Sequence, residues 1–416
     1  MERKKFRYVV AVSSFISLAI ASHADTQNLK SWGFVSYEAG QIVNGYYLAS
    51  PVDHVWQHRL QAQIGAEASI IERLRVLIGA EFMLSYSYPL IQNYYSTQET
   101  HFFPYIHQAE GVYAAGDPGK VSLEAALGFF PFKYNAQARN LGEYLFRTGT
   151  YPGYIVNDFD FPKSRLLGFR LENTLLNTIH NCILLTSETD RFPTQDFSLA
   201  DILDVTIWKA ITVGGAVSFC HLISVNNTFT TPRTDETRIP GDSTKYYTFR
   251  GTKLMARFSF DPKALFSTKF LGSEDLLLYG EGAILGVKNY PEYYEKMTER
   301  MPVMVGFNIP TFKLLDVLSV EAEWWGNRYP NSYRRLYEYY VPLPSFETVD
   351  SSIYRNDDWK WSVYLKKSIT RGISIIAQAA NDHMRVATYE YTFQDKEETL
   401  RHKNDWHYLI KCQFSF

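Results

Sequence analysis

The sequence predicts an all-β fold, a single antiparallel transmembrane β-barrel of about 16 strands, with a long loop between strands 5 and 6 folded into the pore. Three observations carry the prediction. Segments of about ten to fourteen residues with period-two alternation recur along the chain. The connections between them are alternately long and short. The last segment has one wholly apolar face and one mostly polar face.

The last segment is the most explicit. Phe416, Phe414, Cys412, Ile410, Tyr408 and Trp406 share one side of an extended strand, because successive side chains point to opposite faces. Ser415, Gln413, Lys411, Leu409, His407 and Asp405 share the other. This suits a wall with lipid on one side and water on the other. A soluble sandwich would bury the same face equally well. Position separates the two readings: an alternating strand closed by a terminal Phe resembles the C-terminal strand of bacterial outer-membrane β-barrels. That resemblance implies an assembly signal made of Trp406, Tyr408, Ile410, Phe414 and Phe416.

Composition agrees with a barrel and narrows the partners. Aromatic residues make up 16% of the chain, with 30 Tyr and 28 Phe, and a lipid-facing barrel places these in girdles at both interfaces. A net charge of −2 argues against a nucleic-acid partner. At the N-terminus, Arg3, Lys4, Lys5 and Arg7 precede the apolar run Tyr8 to Ile20, and Ser22-His23-Ala24 offers small residues for cleavage. Residues 1–24 therefore read as a signal peptide and 25–416 as a single barrel domain. Beyond that run no segment has the uninterrupted apolar length of a spanning helix, so strands must do any spanning. Cys182, Cys220 and Cys412 have no metal-binding spacing and fall in predicted strands, where they read as small apolar side chains rather than a disulfide.

Taken in order, the first strand is placed at Trp32 to Ile42. In the next, Trp56, Leu60, Ala62, Ile64, Ala66 and Ala68 alternate with Gln57, Arg59, Gln61, Gln63 and Glu67, and five polar side chains on one face are hard to bury dry. A turn near Ile71-Glu72 leads to a strand with Leu74 to Leu84 outward and Arg73, Arg75 and Glu81 inward. Phe103 to Ala115 and Val121 to Phe129 flank the turn Gly116-Asp117-Pro118-Gly119. Further strands are expected at 164–173, 178–188, 197–208, 211–223, 246–260, 275–287, 301–309, 317–325, 358–367, 372–382 and 404–416. With both termini in the periplasm, the long connections 88–100, 131–163, 224–245, 288–300, 326–356 and 384–403 are extracellular and the short turns periplasmic. Asp261 to Glu274 breaks this asymmetry: either it forms a short periplasmic helix, or the strand count is off by two.

The connection from Pro131 to Lys163 is the longest stretch without strand character, and its Tyr134, Tyr144, Phe146, Tyr151 and Tyr154 argue against disorder. It lies where sixteen-stranded general porins fold a loop inward, so the resemblance implies a pore constriction. Candidate constriction charges are Lys133, Arg139, Glu143, Arg147, Asp158 and Asp160, which would act where an ion sheds part of its hydration. The stretch Gly128 to Lys133 also faintly resembles the Gly-x-Phe-Lys stretch of phosphate-selective porins, with the Lys displaced.

Expected lumen-facing wall residues are Arg59, Gln61, Arg73, Arg75, Glu81, Glu124, Arg170, Lys253, Arg257, Glu321 and Glu323, joined by Glu67, Glu110, Glu172, Glu281, Lys360, Lys366 and Lys411. The two signs nearly balance, which predicts weak overall ion selectivity. Tyr329, Tyr333, Tyr337, Tyr339 and Tyr340 beside Arg334 and Arg335 could stack on sugars, but rim packing accounts for them more simply. No catalytic motif, metal site or cofactor site is recognised; His54, His58, His101 and His107 are rim histidines. The reading is a channel for passive diffusion of small hydrophilic solutes, without enzymatic activity. The alternatives are a surface receptor or adhesin, and a barrel-type hydrolase. The resemblance further implies contact with outer-membrane lipid, the barrel assembly machinery and, as one option that the sequence does not fix, other copies in a homotrimer.

Overall fold

The computed structural model describes residues 29–47, 50–87, 99–117, 120–147, 164–189, 193–266, 269–287, 296–325, 340–342, 359–384 and 398–416. The expected export segment 1–24, Asp158, Asp160 and the tyrosine-rich run 329–339 lie outside these residues.

Sixteen strands are present: β1 (Leu29–Tyr47), β2 (Ser50–Ile71), β3 (Leu74–Ser87), β4 (Glu99–Asp117), β5 (Val121–Phe132), β6 (Ser164–Leu175), β7 (Ile179–Ser187) and β8 (Phe197–Ile207). They continue as β9 (Ile211–Ile223), β10 (Gly251–Phe260), β11 (Leu278–Ile284), β12 (Val303–Asn308), β13 (Val317–Trp324), β14 (Trp359–Thr370), β15 (Ile373–Asn381) and β16 (Trp406–Ser415). Each pairs antiparallel with its sequence neighbours, and β1 pairs with β16, so the sheet closes on itself. Closure leaves no edge to template aggregation. At the seam, Gly33 and Phe416 exchange backbone hydrogen bonds of 3.1 and 3.0 Å. A Cβ at Gly33 would stand 2.7 Å from the Phe416 ring, so the terminal aromatic packs where the glycine leaves room.

Alternation sorts side chains as the pleat requires. Leu60, Ile64, Leu127, Ile410 and Phe414 are exposed on the outer face. Gln57 and Arg59 line the interior, and Gln61 there donates to Glu81. One bulge resets the alternation: Gly79 pairs with Gln108 but Ala80 with Ile106, leaving His107 as the extra residue. His107 and Gln108 consequently both face inward, toward Glu81 at 3.1 Å and Glu110 at 2.5 Å.

Two connections differ from the sequence reading, and at a third the structure decides between its alternatives. The strand expected from Tyr246 begins only at Gly251, because Tyr247 and Phe249 give their backbone N–H groups to Thr237 and Thr230 instead of to a neighbouring strand. The connection 226–245 is folded: it holds a one-turn helix α1 (Asn227–Thr230), capped where Thr228 donates to the Asn226 side chain at 3.0 Å. The connection 261–274 contains a 3₁₀ turn (Pro262–Leu265), and the count of sixteen strands stands. Its end is fixed by Asp275, whose carboxylate accepts from the backbone of Gly272, Thr311 and Phe312 at 2.8–3.2 Å.

Cys182 and Cys220 are free and buried, and Cys412 is free and half-buried. The first two belong to an apolar core inside the barrel that includes Leu166, Leu184, Ile202, Met255, Tyr279, Met304 and Trp325. One side of the interior is thus filled with packed side chains.

Candidate functional site in the barrel interior

The residues that follow β5 supply the inner half of that core. The chain from Lys133 to Arg147 turns through Gly142 and Glu143, which have φ of 86° and 64°. Its Tyr134, Leu141, Tyr144, Leu145 and Phe146, with Phe132 at the end of β5, are buried against the inward faces of β6–β12 and Trp325. Each fully buried aromatic or leucine side chain is worth roughly 1.5–3 kcal/mol, against about 0–1 kcal/mol for an exposed ion pair. Packing therefore outweighs surface charge in holding the segment.

Polar contacts then fix its height and direction. Glu281 on β11 accepts from Tyr134 Oη at 2.5 Å, Asn135 Nδ2 at 2.9 Å and the backbone N–H groups of Glu143 and Tyr144 at 3.1 and 2.9 Å. Glu321 on β13 accepts from the N–H groups of Arg139, Asn140 and Leu141 at 2.5, 2.9 and 2.9 Å, and from Tyr279 Oη at 2.8 Å. Glu323 takes the Tyr144 phenol at 2.6 Å. Asn140 reaches Asp382 at 2.6 Å and Ser362 Oγ at 3.2 Å. Buried carboxylates are tolerable only when donors fill their lone pairs, and here backbone N–H groups do so. Since β5 and β13 stand eight places apart in the ring of sixteen, these contacts run across the barrel.

Two titrating groups in the connections have shifted strongly. Burial and the nearby Glu281 carboxylate push Glu143 up to about 7, against the pull of Lys133. Burial brings Lys133 down to about 8, and its ammonium donates to the Ala138 carbonyl at 2.5 Å.

A further buried cluster lies after β15. His383 donates from both ring nitrogens, to Glu323 at 2.6 Å and Glu398 at 2.7 Å. Burial alone would lower its pKa, but Glu398 and Glu323 outweigh it and push the imidazole up to about 10. Lys360 pairs with the same Glu398 at 3.4 Å and donates to the Leu400 carbonyl at 2.6 Å. The cluster joins β13, β14 and the chain entering β16.

Between residues 133–147 and the wall formed by β14, β15, β16, β1 and β2 there remains a polar cavity of about 630 Å³. Of the expected site residues, Arg59, Lys133, Arg139, Arg147, Lys366 and Lys411 line it. Glu143 is buried within the segment, Lys253, Glu321 and Glu323 are buried against it, and Arg257 is held by Asp204 at 2.8 Å and by the Tyr134 carbonyl. Gln61 and Glu81 form a cluster with Tyr105 and His107 on β4. Arg75, Glu124 and Arg170 form an ion-pair network with Glu67 and Glu172 along β2–β6. Arg73 is exposed in the turn between β2 and β3 and so does not stand on the wall. Trp406, Tyr408, Ile410, Phe414 and Phe416 lie on or beside the closing strand β16.

The sequence reading missed Glu38, Tyr364 and Asp382 as cavity-lining groups, and had His407 only as part of the polar side of the last strand. Glu38 was discoverable by its alternation with Ser36 and Gly40, whereas Asp382 sits just past a strand end, where alternation gives no face.

A closed antiparallel ring of sixteen strands, apolar outside and polar along its opening, is the plan of barrels wide enough to leave an aqueous channel. The fold is a closed sixteen-stranded antiparallel barrel. Solved structures similar to it include OmpF of Salmonella typhi in complex with daunomycin, at 11% identity over 95% of this chain and 99% of that one, with a TM-score of 0.49. OprB of Pseudomonas putida is 8% identical over 94% of this chain and 93% of that one, with a TM-score of 0.46. A mutant porin of Rhodopseudomonas blastica is 9% identical over 93% of this chain and 100% of that one, with a TM-score of 0.40. No protein-family model and no curated protein matches the sequence. Among the described residues of this barrel, no group of three His, Cys, Asp or Glu side chains is placed to hold a metal ion.

Proposed function

We propose that this chain is an outer-membrane channel through which small hydrophilic solutes or ions diffuse passively, with residues 133–147 as its constriction. The observation that carries the reading is the polar cavity of about 630 Å³ left between that segment and the β14–β2 wall. A sixteen-stranded ring is too wide for wall side chains alone to fill. Here an inward segment fills one side and leaves a lined opening on the other, which is how a wide barrel is narrowed without being closed. The exposed outer residues supply the apolar surface that acyl chains would cover.

On this reading residues 1–24 are removed during export, and both termini face the periplasm. The closing strand with its terminal Phe416 serves as the signal for the assembly machinery. The mature barrel sits in outer-membrane lipid, alone or as a homotrimer. It performs no catalysis and needs no cofactor.

Purified mature protein reconstituted in planar bilayers tests this directly. Stepped single-channel conductance is expected, and deletion of residues 139–154 should raise the step size. A barrel that inserts but gives no steps would overturn the channel reading, and a deletion that leaves the steps unchanged would overturn the constriction.

A further inference from the structure

The segment 133–147 is held by more than the strands of the wall. Its Tyr144 has two neighbours, the Glu323 carboxylate at 2.6 Å and the Trp325 indole, with 5.8 Å between ring centroids. His383 contacts both of them: it donates to the other Glu323 oxygen at 2.6 Å, and its ring centroid lies 4.9 Å from that of Trp325. The residue before it, Asp382, accepts from Asn140 of the same segment at 2.6 Å. Two consecutive residues just past the end of β15 therefore support the segment at two points.

Those residues are held in turn by the chain that enters β16. His383 donates its second ring N–H to Glu398 at 2.7 Å, and the Thr399 N–H donates to the Met384 carbonyl at 2.8 Å. Lys360 pairs with Glu398 at 3.4 Å and donates to the Leu400 carbonyl at 2.6 Å, while the Tyr46 N–H at the end of β1 donates to the Thr399 carbonyl at 2.7 Å. Glu398, Thr399, Leu400 and Arg401 are each no more than 3% exposed, so they form a second stretch of connecting chain packed into the barrel. Neither His383 nor Glu398 lines the cavity of about 630 Å³.

We propose that Asp382 and His383 are positioning residues for the constriction, and that they couple it to the connection between β15 and β16. The inference rests on the channel reading and deepens it, because on that reading this connection is extracellular. A carboxylate has two oxygens, and Glu323 gives one to Tyr144 and the other to His383, so its orientation is fixed only while both donors are in place. Loss of the imidazole frees the carboxylate to turn. It also withdraws support from Trp325, against which Tyr144 packs. Displacement of residues 398–401 is thereby passed through Glu398 and His383 to residues 133–147, and a double-mutant cycle measures such a coupling.

The test is single-channel recording of the purified mature barrel in planar bilayers. Because His383 and Glu398 do not line the opening, a change in the steps must reach it through the segment. His383→Gln should raise open-channel current noise at least about twofold, and Tyr144→Phe should do the same. The double variant should be no noisier than the noisier single one, because both cut one path. Glu398→Gln keeps the side-chain shape and loses the charge on His383. It should move the noise in the same direction by less and, paired with Tyr144→Phe in the same cycle, decides the matter should His383→Gln fail to insert. Asp196→Asn is the control for destabilisation alone: this buried carboxylate holds Val225 and Thr230 in a different connection, and its loss should leave the steps unchanged. Steps unaltered by His383→Gln and Glu398→Gln, additive effects in the cycle, or an equal change from Asp196→Asn would each overturn the inference while leaving the channel reading intact. Absence of steps in the parent would overturn both.

Discussion

Tyr134 donates its phenol to Glu281 at 2.5 Å, joining the residue two places beyond β5 to a strand six places further round the ring. Glu281 thereby collects four donors, and removing it strands them all. An orphaned buried donor costs about 1–3 kcal/mol. Glu281→Ala is expected to loosen residues 133–147, seen as larger and noisier single-channel steps. Tyr134→Phe removes one of these donors and also the acceptor of the Leu145 N–H at 3.1 Å, so it should cost about 1–3 kcal/mol with less added noise than Glu281→Ala.

The carboxyl of Glu143 is held above its ordinary range, at about 7, by burial and by Glu281. An acid whose folded pKa is raised binds more protons in the folded state, so folding is weakened as pH rises from about 4.5 through about 7. Glu143→Gln keeps an acceptor for the Asn135 N–H but cannot ionise. Thermal unfolding in detergent should show the variant more stable than the parent by about 1–3 kcal/mol at pH 8 and nearly equal at pH 4. A gain of the same size at both values would show that charge is not the cause.

His383 has the opposite sign. Its pKa is raised from 6.5 to about 10, so its contribution is complete below pH 6.5 and fades as pH climbs toward 10. His383→Gln leaves Glu323 and Glu398 buried without their shared cation, for which a loss of about 3–5 kcal/mol is expected at pH 6. The difference from the parent should shrink steadily between pH 7 and pH 10. Melting temperatures recorded across that range decide it.

Gly128 on β5 and Gly168 on β6 face each other with φ of 140° and 154°. A Cβ at Gly128 would lie 2.2 Å from the carbonyl oxygen of Ala109. Gly128→Ala should cost about 1–3 kcal/mol through the backbone conformation alone. Refolding into detergent micelles, followed by heat-modifiable mobility on gels, should show a reduced folded fraction.

Deleting Phe416 removes both backbone hydrogen bonds with Gly33 and the ring that packs over it. The amount of barrel recovered from the outer membrane should fall severalfold, and Phe416→Tyr should largely restore it. Equal recovery for the deletion and the parent would dismiss the terminal aromatic as an assembly element.

The sequence by itself determined the wall. Period two is a local property of a strand, so the polar run Gln57, Arg59, Gln61 and Gln63 and the apolar run ending in Phe416 announce their faces without knowledge of any partner. Strand number and the long connection after β5 follow from the same pattern. The strands with two apolar faces were harder to read. On β7, Cys182 and Leu184 point in while Ile183 and Leu185 point out, and composition cannot tell an interior core from lipid.

What only the tertiary structure decided is which wall charges the inward segment covers. Glu321 and Arg59 look equivalent along the chain, each a charged residue on an inward face. Residues 133–147 cross the barrel and cover Glu321 with three backbone N–H groups, while Arg59 stays on the uncovered wall beside Lys411 and Glu38. That difference depends on contacts some 180 residues apart, such as Asn140 with Glu321, and no local periodicity encodes them.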